Sequence, residues 1–280
     1  MEEIMFVRPK IVYKYKSVTE QLDFNRLLDT IKNDHIYMPN LAMLNDPMEA
    51  NAVEIRLTYA GASYTFNCGK ILSPVEDEQN KYQVLSLSAI PNSPIMWAHY
   101  ASGYSGCCLV YSTEMAFSKV EPIIYTDMVF RLGEEDLPDD ISMANAVRES
   151  LRFKHKDWAY ENEWRIIRCK DTDYLEYEPS ELLGIIIGEN MNLDKRKVLV
   201  KLCEEKNVPC FRTYTMRSWN EIAFVPFDLV ESLDGPESEY ITPRRMKIHI
   251  REKIDKGMGI PNEMELFQAL NEKVLRDQYY

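Results

Sequence analysis

The chain has 280 residues and the composition of an ordinary globular protein, with 45% hydrophobic and 28% charged residues. Its formal net charge of −12 argues against broad binding to a nucleic-acid backbone, which requires a basic surface. No apolar run approaches the roughly 20 residues that span a bilayer, and the acidic N-terminus lacks a signal-peptide pattern. The six cysteines show no C-x-x-C spacing, so we expect reduced thiols, no metal site and a cytoplasmic protein.

Alternation of apolar and polar side chains predicts the strands of the N-terminal half. Residues 12–16 form a short predicted strand, and residues 53–59 alternate most clearly. Residues 84–89 form a further predicted strand, with Ser86 and Ser88 on one face and apolar residues on the other. These serines either bind a ligand or fill the space where a strand meets a helix.

A polar turn separates the first two of these strands. Asn45-Asp46-Pro47 predicts a turn or a helix entry, because Asp accepts hydrogen bonds from nearby amides and Pro fixes φ. Asn45, Asp46 and Glu49 therefore either cap a helix or line a cleft.

A short helix is predicted from Ser93-Pro94, with Ser93 as the cap and Pro94 in the first turn. It carries Trp97 and His99. Trp97 belongs either to the core or to a ligand platform. His99 either is hydrogen-bonded within the packing or contacts a phosphate or acts as a base, because its charge changes near neutral pH.

Residues 158–167 are the most informative segment, and we predict that they form one β-strand. Glu161, Glu163 and Arg165 then share a face, and the two carboxylates lie roughly 6.5–7 Å apart. Before this strand, Asp139 or Asp140 caps a predicted helix whose spacing extends to Lys154. The charged face is either an exposed ladder of ion pairs or a binding site.

The whole pattern predicts an α+β fold with a mixed, largely antiparallel sheet, flanking helices and a helical C-terminal extension. Residues 183–188 are typical of a central strand, and helices open near Pro243 and Pro261. Because Asp234-Gly235-Pro236 breaks the chain, we place an α+β domain at 1–232 and the extension at 233–280.

Several motifs together resemble a widespread bacterial family of unknown function, over about residues 11–190 of this chain. The motifs, in chain order, are Tyr13-Lys14-Tyr15, Asn45-Asp46-Pro47-Met48-Glu49, Ser86-Leu87-Ser88, Met96-Trp97-Ala98-His99-Tyr100, Gly106 with Cys108, and Glu161-x-Glu163-Trp164-Arg165. The resemblance implies no settled activity.

A second set of motifs resembles the ADP-ribosyltransferases. Those enzymes carry a polar residue on a first strand, a serine on a second and a glutamate, often in E-x-E, on a later one. The same order is present here in Lys14 between Tyr13 and Tyr15, Ser86 with Ser88, and Glu161 with Glu163. The first motif of these enzymes usually holds Arg or His, whereas this chain has Lys14.

Transfer from NAD passes through an oxocarbenium-like sugar, which a nearby carboxylate stabilises. Glu163 would take this role, Glu161 would orient the acceptor, and Arg165 and His99 complete the candidate catalytic set. The candidate ligand-binding residues are Tyr13, Lys14, Tyr15, Asn45, Asp46, Glu49, Ser86, Ser88, Trp97 and Tyr100. Among them a serine would bind ribose, and Tyr13, Tyr15 or Tyr100 would stack on a base or on nicotinamide.

Two hypotheses about function follow. The first is an enzyme that acts on NAD or another nucleotide in a cleft between the serine strand, the His99 helix and the glutamate strand. The second is a non-catalytic module that binds a small ligand or a protein partner, in a setting such as bacterial stress or phage defence. The C-terminal helices would be its contact surface, with an exposed apolar stripe on the last helix.

Overall fold

The computed structural model describes residues 6–46, 53–59, 62–67, 73–128, 130–132, 140–216, 221–231, 242–260, 262–272 and 275. The chain forms two compact units. The first unit comprises Met1–Pro9, His35–Ala89 and Ala116–Glu176, and the second comprises Lys10–Asp34, Ile90–Met115 and Tyr177–Tyr280.

The strands of the described residues, in chain order, are β1 Ile11–Lys16, β2 His35–Tyr37, β3 Val53–Tyr59, β4 Ala62–Asn67, β5 Tyr82–Ser88, β6 Cys107–Ser112, β7 Glu121–Pro122, β8 Ile124–Thr126, β9 Phe130–Leu132, β10 Phe153–His155, β11 Glu163–Cys169, β12 Tyr174–Glu176, β13 Leu182–Ile187, β14 Cys210–Met216 and β15 Glu221–Pro226. The α-helices are α1 Gln21–Lys32, α2 Ser73–Gln79, α3 Pro94–Tyr100, α4 Asp140–Ser150, α5 Leu193–Lys206, α6 Phe227–Glu231, α7 Pro243–Asp255 and α8 Glu263–Leu270. None of these helices is long and apolar enough to cross a membrane.

The second unit contains a mixed sheet in the order β15-β14-β13-β6-β1. Its neighbours are antiparallel except for β13 and β14, which run parallel and are joined through α5, the kind of crossover that parallel pairing needs. Val110, Ile185, Phe211 and Phe224 are fully buried on these strands. The centre of this sheet is apolar because its strands are covered on both faces.

The last helix packs inside the second unit. Leu266, Phe267 and Leu270 of α8 are buried. The side chain of Asn271 forms two hydrogen bonds of 2.9 Å with the backbone of Phe224 on β15, one as acceptor and one as donor. The expectation of an exposed apolar stripe on this helix is therefore wrong for its described residues, because that face is used to cover the sheet.

The described residues of the first unit contain the strand group β5-β11-β7 and three smaller sheets. The order β5-β11-β7 is antiparallel throughout. Strand β3 pairs with β4 and β9, β10 runs parallel to β8, and β12 is antiparallel to β2. An apolar cluster of this unit includes Val84, Val147, Leu151 and Ile167.

The predicted fold class is confirmed: helices accompany mixed, mostly antiparallel sheets. The predicted Ser93 cap is also confirmed, since the Ser93 side chain accepts from the Met96 amide at the start of α3. At the helix predicted near Pro243, the Thr242 side chain accepts from the Arg245 amide at the start of α7. The boundary predicted at residue 232 lies outside the described residues.

Two predicted elements are wrong. The helix expected to extend to Lys154 ends at Ser150, and Lys154 instead lies on strand β10. The strand expected over 158–167 begins only at Glu163, because Lys156–Glu161 forms a 3-10 helical turn and Asn162 is left-handed, with φ of 47°. Asparagine adopts this conformation more readily than most residues, so it ends the turn and starts the strand.

Candidate functional site

The serine and glutamate motifs are neighbours in the first unit. Strands β5 and β11 pair so that Ser88 lies opposite Glu163 and Ser86 lies opposite Arg165. Direct antiparallel pairing brings side chains on one face within contact distance. The structure therefore brings together the two motifs that the sequence separates by more than seventy positions.

Four charged side chains of this unit form a buried group that we call the Lys154 cluster: Lys154, Glu161, Glu163 and Arg165. The ammonium of Lys154 donates to Glu161 Oε2 at 2.6 Å and to Glu163 Oε2 at 3.0 Å. Glu161 enters from the 3-10 turn rather than from the strand. The two carboxylates are thus linked through one shared cation, which sequence spacing on a single strand did not predict.

Arg165 binds the other side of the cluster. Its Nε donates to Glu163 Oε1 at 2.7 Å and its Nη2 donates to Glu163 Oε2 at 3.0 Å, which is the two-pronged arrangement that guanidinium and carboxylate favour. Its Nη1 donates to the backbone carbonyl of Leu151 at 2.7 Å. Glu163 and Arg165 are 4% and 1% exposed. The alternative of an exposed ladder is therefore wrong, although the ion pair that it included is present.

Hydroxyl groups complete the bonding of the two carboxylate residues. The Ser88 hydroxyl donates to the backbone carbonyl of Glu161 at 2.6 Å. Ser86 forms a side-chain hydrogen bond with Glu163, and the Glu163 amide donates to the Tyr125 hydroxyl at 2.8 Å. Both predicted serines are therefore bonded to the glutamate segment.

Glu163 is held in its ionised form. Burial by itself raises the pKa of this carboxyl, but the charges of Arg165 and Lys154 and the hydrogen bonds from Arg165 and Ser86 outweigh burial and lower the pKa to about 2. With two cations and two carboxylates, the Lys154 cluster is electrically balanced. A ligand at Glu163 would have to displace one of these buried partners.

Lys154 and Tyr125 were missed by sequence reasoning. Lys154 was assigned to a helix, whereas β10 and β8 pair in parallel through Lys154 and Tyr125 themselves. The signal available was weak, since Phe153-Lys154-His155 alternates over three residues only. The ring of Trp158 lies 4.8 Å from the Lys154 ammonium, a cation–π distance, and Trp158 is half-buried.

The aromatic candidates of the second unit pack against each other. Tyr13, Tyr15 and Trp97 are buried. The ring of Trp97 meets Tyr15 edge-on at 5.3 Å and stacks on Tyr104 at 5.6 Å, and its indole N–H donates to the Pro91 carbonyl at 2.7 Å. Burial raises the pKa of Tyr13 and Tyr15, so both phenols stay neutral. Their stacking on a nucleotide remains a prediction.

The remaining candidates differ in exposure. His99, near the end of α3, is exposed, and Lys14 on β1 and Tyr100 are half-buried. In the first unit Asn45 is exposed and Asp46 is buried. Glu49 lies outside the described residues. No group of three or more His, Cys, Asp or Glu side chains within the described ranges is arranged to hold a metal ion.

The second unit also contains a cleft that the sequence did not indicate, which we call the α5 cleft. Its volume is about 820 Å³, within the range typical of small-molecule sites. Its wall combines one face of α5 with α6 and residues from 253 to 263 of the chain. Apolar lining comes from Leu193, Val200, Phe227 and Met258, of which Leu193 and Met258 are 51% and 62% exposed.

Residues 96–166 match a family model described as a protein of unknown function (DUF2971). The expectation of a family of unknown function is confirmed over this segment. The DUF2971 segment includes most of α3, all of β6, Lys154 and the three charged residues of the glutamate motif, whereas the earlier motifs lie before it. The match does not confirm a resemblance to ADP-ribosyltransferases. No curated protein and no solved structure matches the chain.

Proposed function

We propose that this protein is a ligand-binding module whose small-molecule site is the α5 cleft, and that the Lys154 cluster stabilises the fold. One observation supports this choice more than any other: the α5 cleft is open and lined by both apolar and charged side chains, whereas Glu163 is buried and bonded at both oxygens. A binding site must leave side chains accessible to its ligand, and the α5 cleft does so at Leu193 and Met258.

The walls of the cleft suit an occupant with an apolar body. Val200 is half-buried on the α5 face, and Phe227, which is 8% exposed, lines the cleft at the start of α6. Exposed Leu193 and Met258 lie at the same cleft. Covering such apolar surface contributes roughly 25 cal/mol per Å² removed from water, which is the driving force expected for binding.

Filling the cleft tests this proposal. We would titrate the wild-type protein with 2-naphthol, 2-naphthoate, 2-naphthyl phosphate and 2-naphthylmethylammonium, and measure the Kd of each by calorimetry. Val200→Trp places a large ring in the cleft and is expected to weaken binding at least tenfold. Val198→Trp is the matched control, because Val198 is exposed on the same helix and does not line the cleft.

The proposal fails if none of the four probes binds, or if Val200→Trp binds them as tightly as the wild type does. Thermal unfolding of both variants shows whether each is folded. Binding that Val198→Trp retains and Val200→Trp loses supports the cleft as the site.

The second candidate function is an NAD-directed transfer in which Glu163 stabilises the ribosyl transition state. The observation that favours it is the direct pairing of β5 with β11, which brings Ser86 into hydrogen bonding with Glu163. In that reaction the ionised carboxylate would face the developing positive charge of the sugar, after a rearrangement that releases Arg165 or Lys154.

Calorimetry with NAD and ADP-ribose tests this second candidate, with release of nicotinamide from NAD as the readout of reaction. Glu163→Gln keeps the size of the side chain and removes its charge, so it should abolish nicotinamide release while leaving the α5 cleft unchanged. Absence of both binding and nicotinamide release in the wild type removes the transferase from consideration and leaves the ligand-binding proposal intact.

A further inference from the structure

We infer that the α5 cleft takes a small molecule with an aromatic or apolar body and one anionic group, a carboxylate or a phosphate, held by Arg196 and Lys197. This inference rests on the proposed function and names the chemical class of its ligand. It follows from which charged side chains of the cleft already have a partner and which have none.

The acidic side chains at the α6 end of the cleft are already paired with a cation. Lys253 Nζ lies 2.9 Å from Asp228 Oδ2 and 2.8 Å from Glu263 Oε1. Behind Asp228, the imidazole Nε2 of His249 lies 3.0 Å from the same oxygen. Asp228 and Glu263 therefore share one half-buried cation, which offsets one of their two negative charges.

Among the described residues, the cationic side chains on the α5 wall are less well paired. Within the described residues, no carboxylate lies in ion-pair distance of Arg196 or Lys197. Glu204, on the same helix face, is exposed and pairs with neither of them. Lys201 reaches only the exposed Glu205, at 3.8 Å.

Arg196 is the better placed of the two cations. It is half-buried, and its guanidinium carbon lies 5.9 Å from the centre of the Phe227 ring, a cation–π distance that restrains the side chain. A planar guanidinium with free N–H groups binds carboxylate or phosphate oxygens in pairs, with less loss of freedom when it is already restrained. The largely buried ring of Phe227 lines the cleft beside Arg196 and would contact the body of the ligand.

The charge of the whole lining agrees with a single negative group on the ligand. Four cationic side chains line the cleft, namely Arg196, Lys197, Lys201 and Lys253. Three acidic side chains line it, namely Glu204, Asp228 and Glu263. Counted by themselves, these lining side chains carry one net positive charge, which favours an anion over a cation.

Binding of the four naphthyl probes to charge variants tests the inference. We expect 2-naphthoate or 2-naphthyl phosphate to bind the wild type at least tenfold more tightly than 2-naphthol and the ammonium probe. Arg196→Gln should remove this preference, and Lys197→Gln should reduce it. Arg251→Gln is the matched control, because Arg251 is exposed on α7 and does not line the cleft. If 2-naphthoate binds more tightly, the anionic group of the ligand is a carboxylate, and if 2-naphthyl phosphate binds more tightly, it is a phosphate.

The results that would overturn this inference differ from those that would overturn the proposed function. If 2-naphthol or the ammonium probe binds as tightly as the anions and Val200→Trp still abolishes binding, the anionic class is wrong and the cleft remains the site. If Arg196→Gln and Lys197→Gln both keep the preference for anions, the assigned residues are wrong. A preference that only Arg196→Gln and Lys197→Gln remove confirms the inference.

Discussion

Glu163 and Arg165 lie two positions apart on one strand, are joined by two hydrogen bonds of 2.7 and 3.0 Å, and are both buried. Residues two apart on a strand project from the same face, so their pairing follows from the backbone. Their burial does not. It requires Leu151 and Lys154, on the segment that follows α4, to cover that face with a carbonyl acceptor and a second cation.

Removing the shared cation should destabilise the protein strongly. In Lys154→Met, Glu161 and Glu163 remain buried with one guanidinium between them, and leaving a buried charge uncompensated costs about 3–5 kcal/mol. The free energy of unfolding, measured in urea, gives the size of the loss. Adding Glu161→Gln to Lys154→Met removes the surplus negative charge and should restore part of the stability.

The matched control for this variant is Lys156→Met, because Lys156 is exposed and pairs with exposed Asp127. We expect it to change the free energy of unfolding by less than about 1 kcal/mol. An equal loss from both substitutions, or a double variant less stable than Lys154→Met alone, would contradict the role assigned to Lys154.

The charge state of Glu163 makes the stability depend on pH. Its pKa is lowered from 4.5 to about 2 in the folded state. Above pH 4.5 the carboxylate is ionised whether the chain is folded or not, and its contribution to stability is complete. Between pH 4.5 and 2 the unfolded chain takes up a proton more readily, so this contribution is lost as the pH falls.

Glu163→Gln should therefore be less stable than the wild type at pH 7, and the difference should shrink as the pH is lowered through this range. Denaturation in urea at pH 7, 5, 4 and 3 measures that difference. A gap that stays constant across all four pH values would show that the carboxylate of Glu163 is not the group that titrates.

Substitution by phenylalanine should destabilise the protein to different extents at Trp97 and Trp158. Trp97→Phe removes a buried N–H donor to the Pro91 carbonyl and part of two ring contacts. We therefore expect the free energy of unfolding to fall by about 2–4 kcal/mol. Trp158→Phe weakens one cation–π contact with Lys154 at a half-buried position, and a loss of about 1 kcal/mol is expected. Thermal unfolding in calorimetry compares them.

If Trp97→Phe unfolds at the temperature of the wild type and instead weakens binding of NAD, Trp97 would be a ligand platform, as the sequence allowed. A larger loss from Trp158→Phe than from Trp97→Phe would show that the half-buried ring carries more of the packing than its exposure indicates.

Local rules determined much of the fold from the sequence. The Ser93 and Thr242 caps were predictable because a cap depends on two or three consecutive residues. The strands now observed as Cys107–Ser112 and Leu182–Ile187 were predictable because apolar runs of that length are typical of buried strands. The same rules failed at Asn162, where a left-handed residue interrupts an alternation that continues on both sides.

By itself, the sequence determined that the chain is an α+β protein and that Glu163 and Arg165 share one face of a strand. Only the tertiary structure decided that this face is closed, because periodicity shows which side chains point together and not what lies over them. It also decided that Lys154 joins the two glutamates from a strand of its own. The α5 cleft needed three-dimensional packing as well, since α5 and Glu263 form its walls from distant parts of the chain.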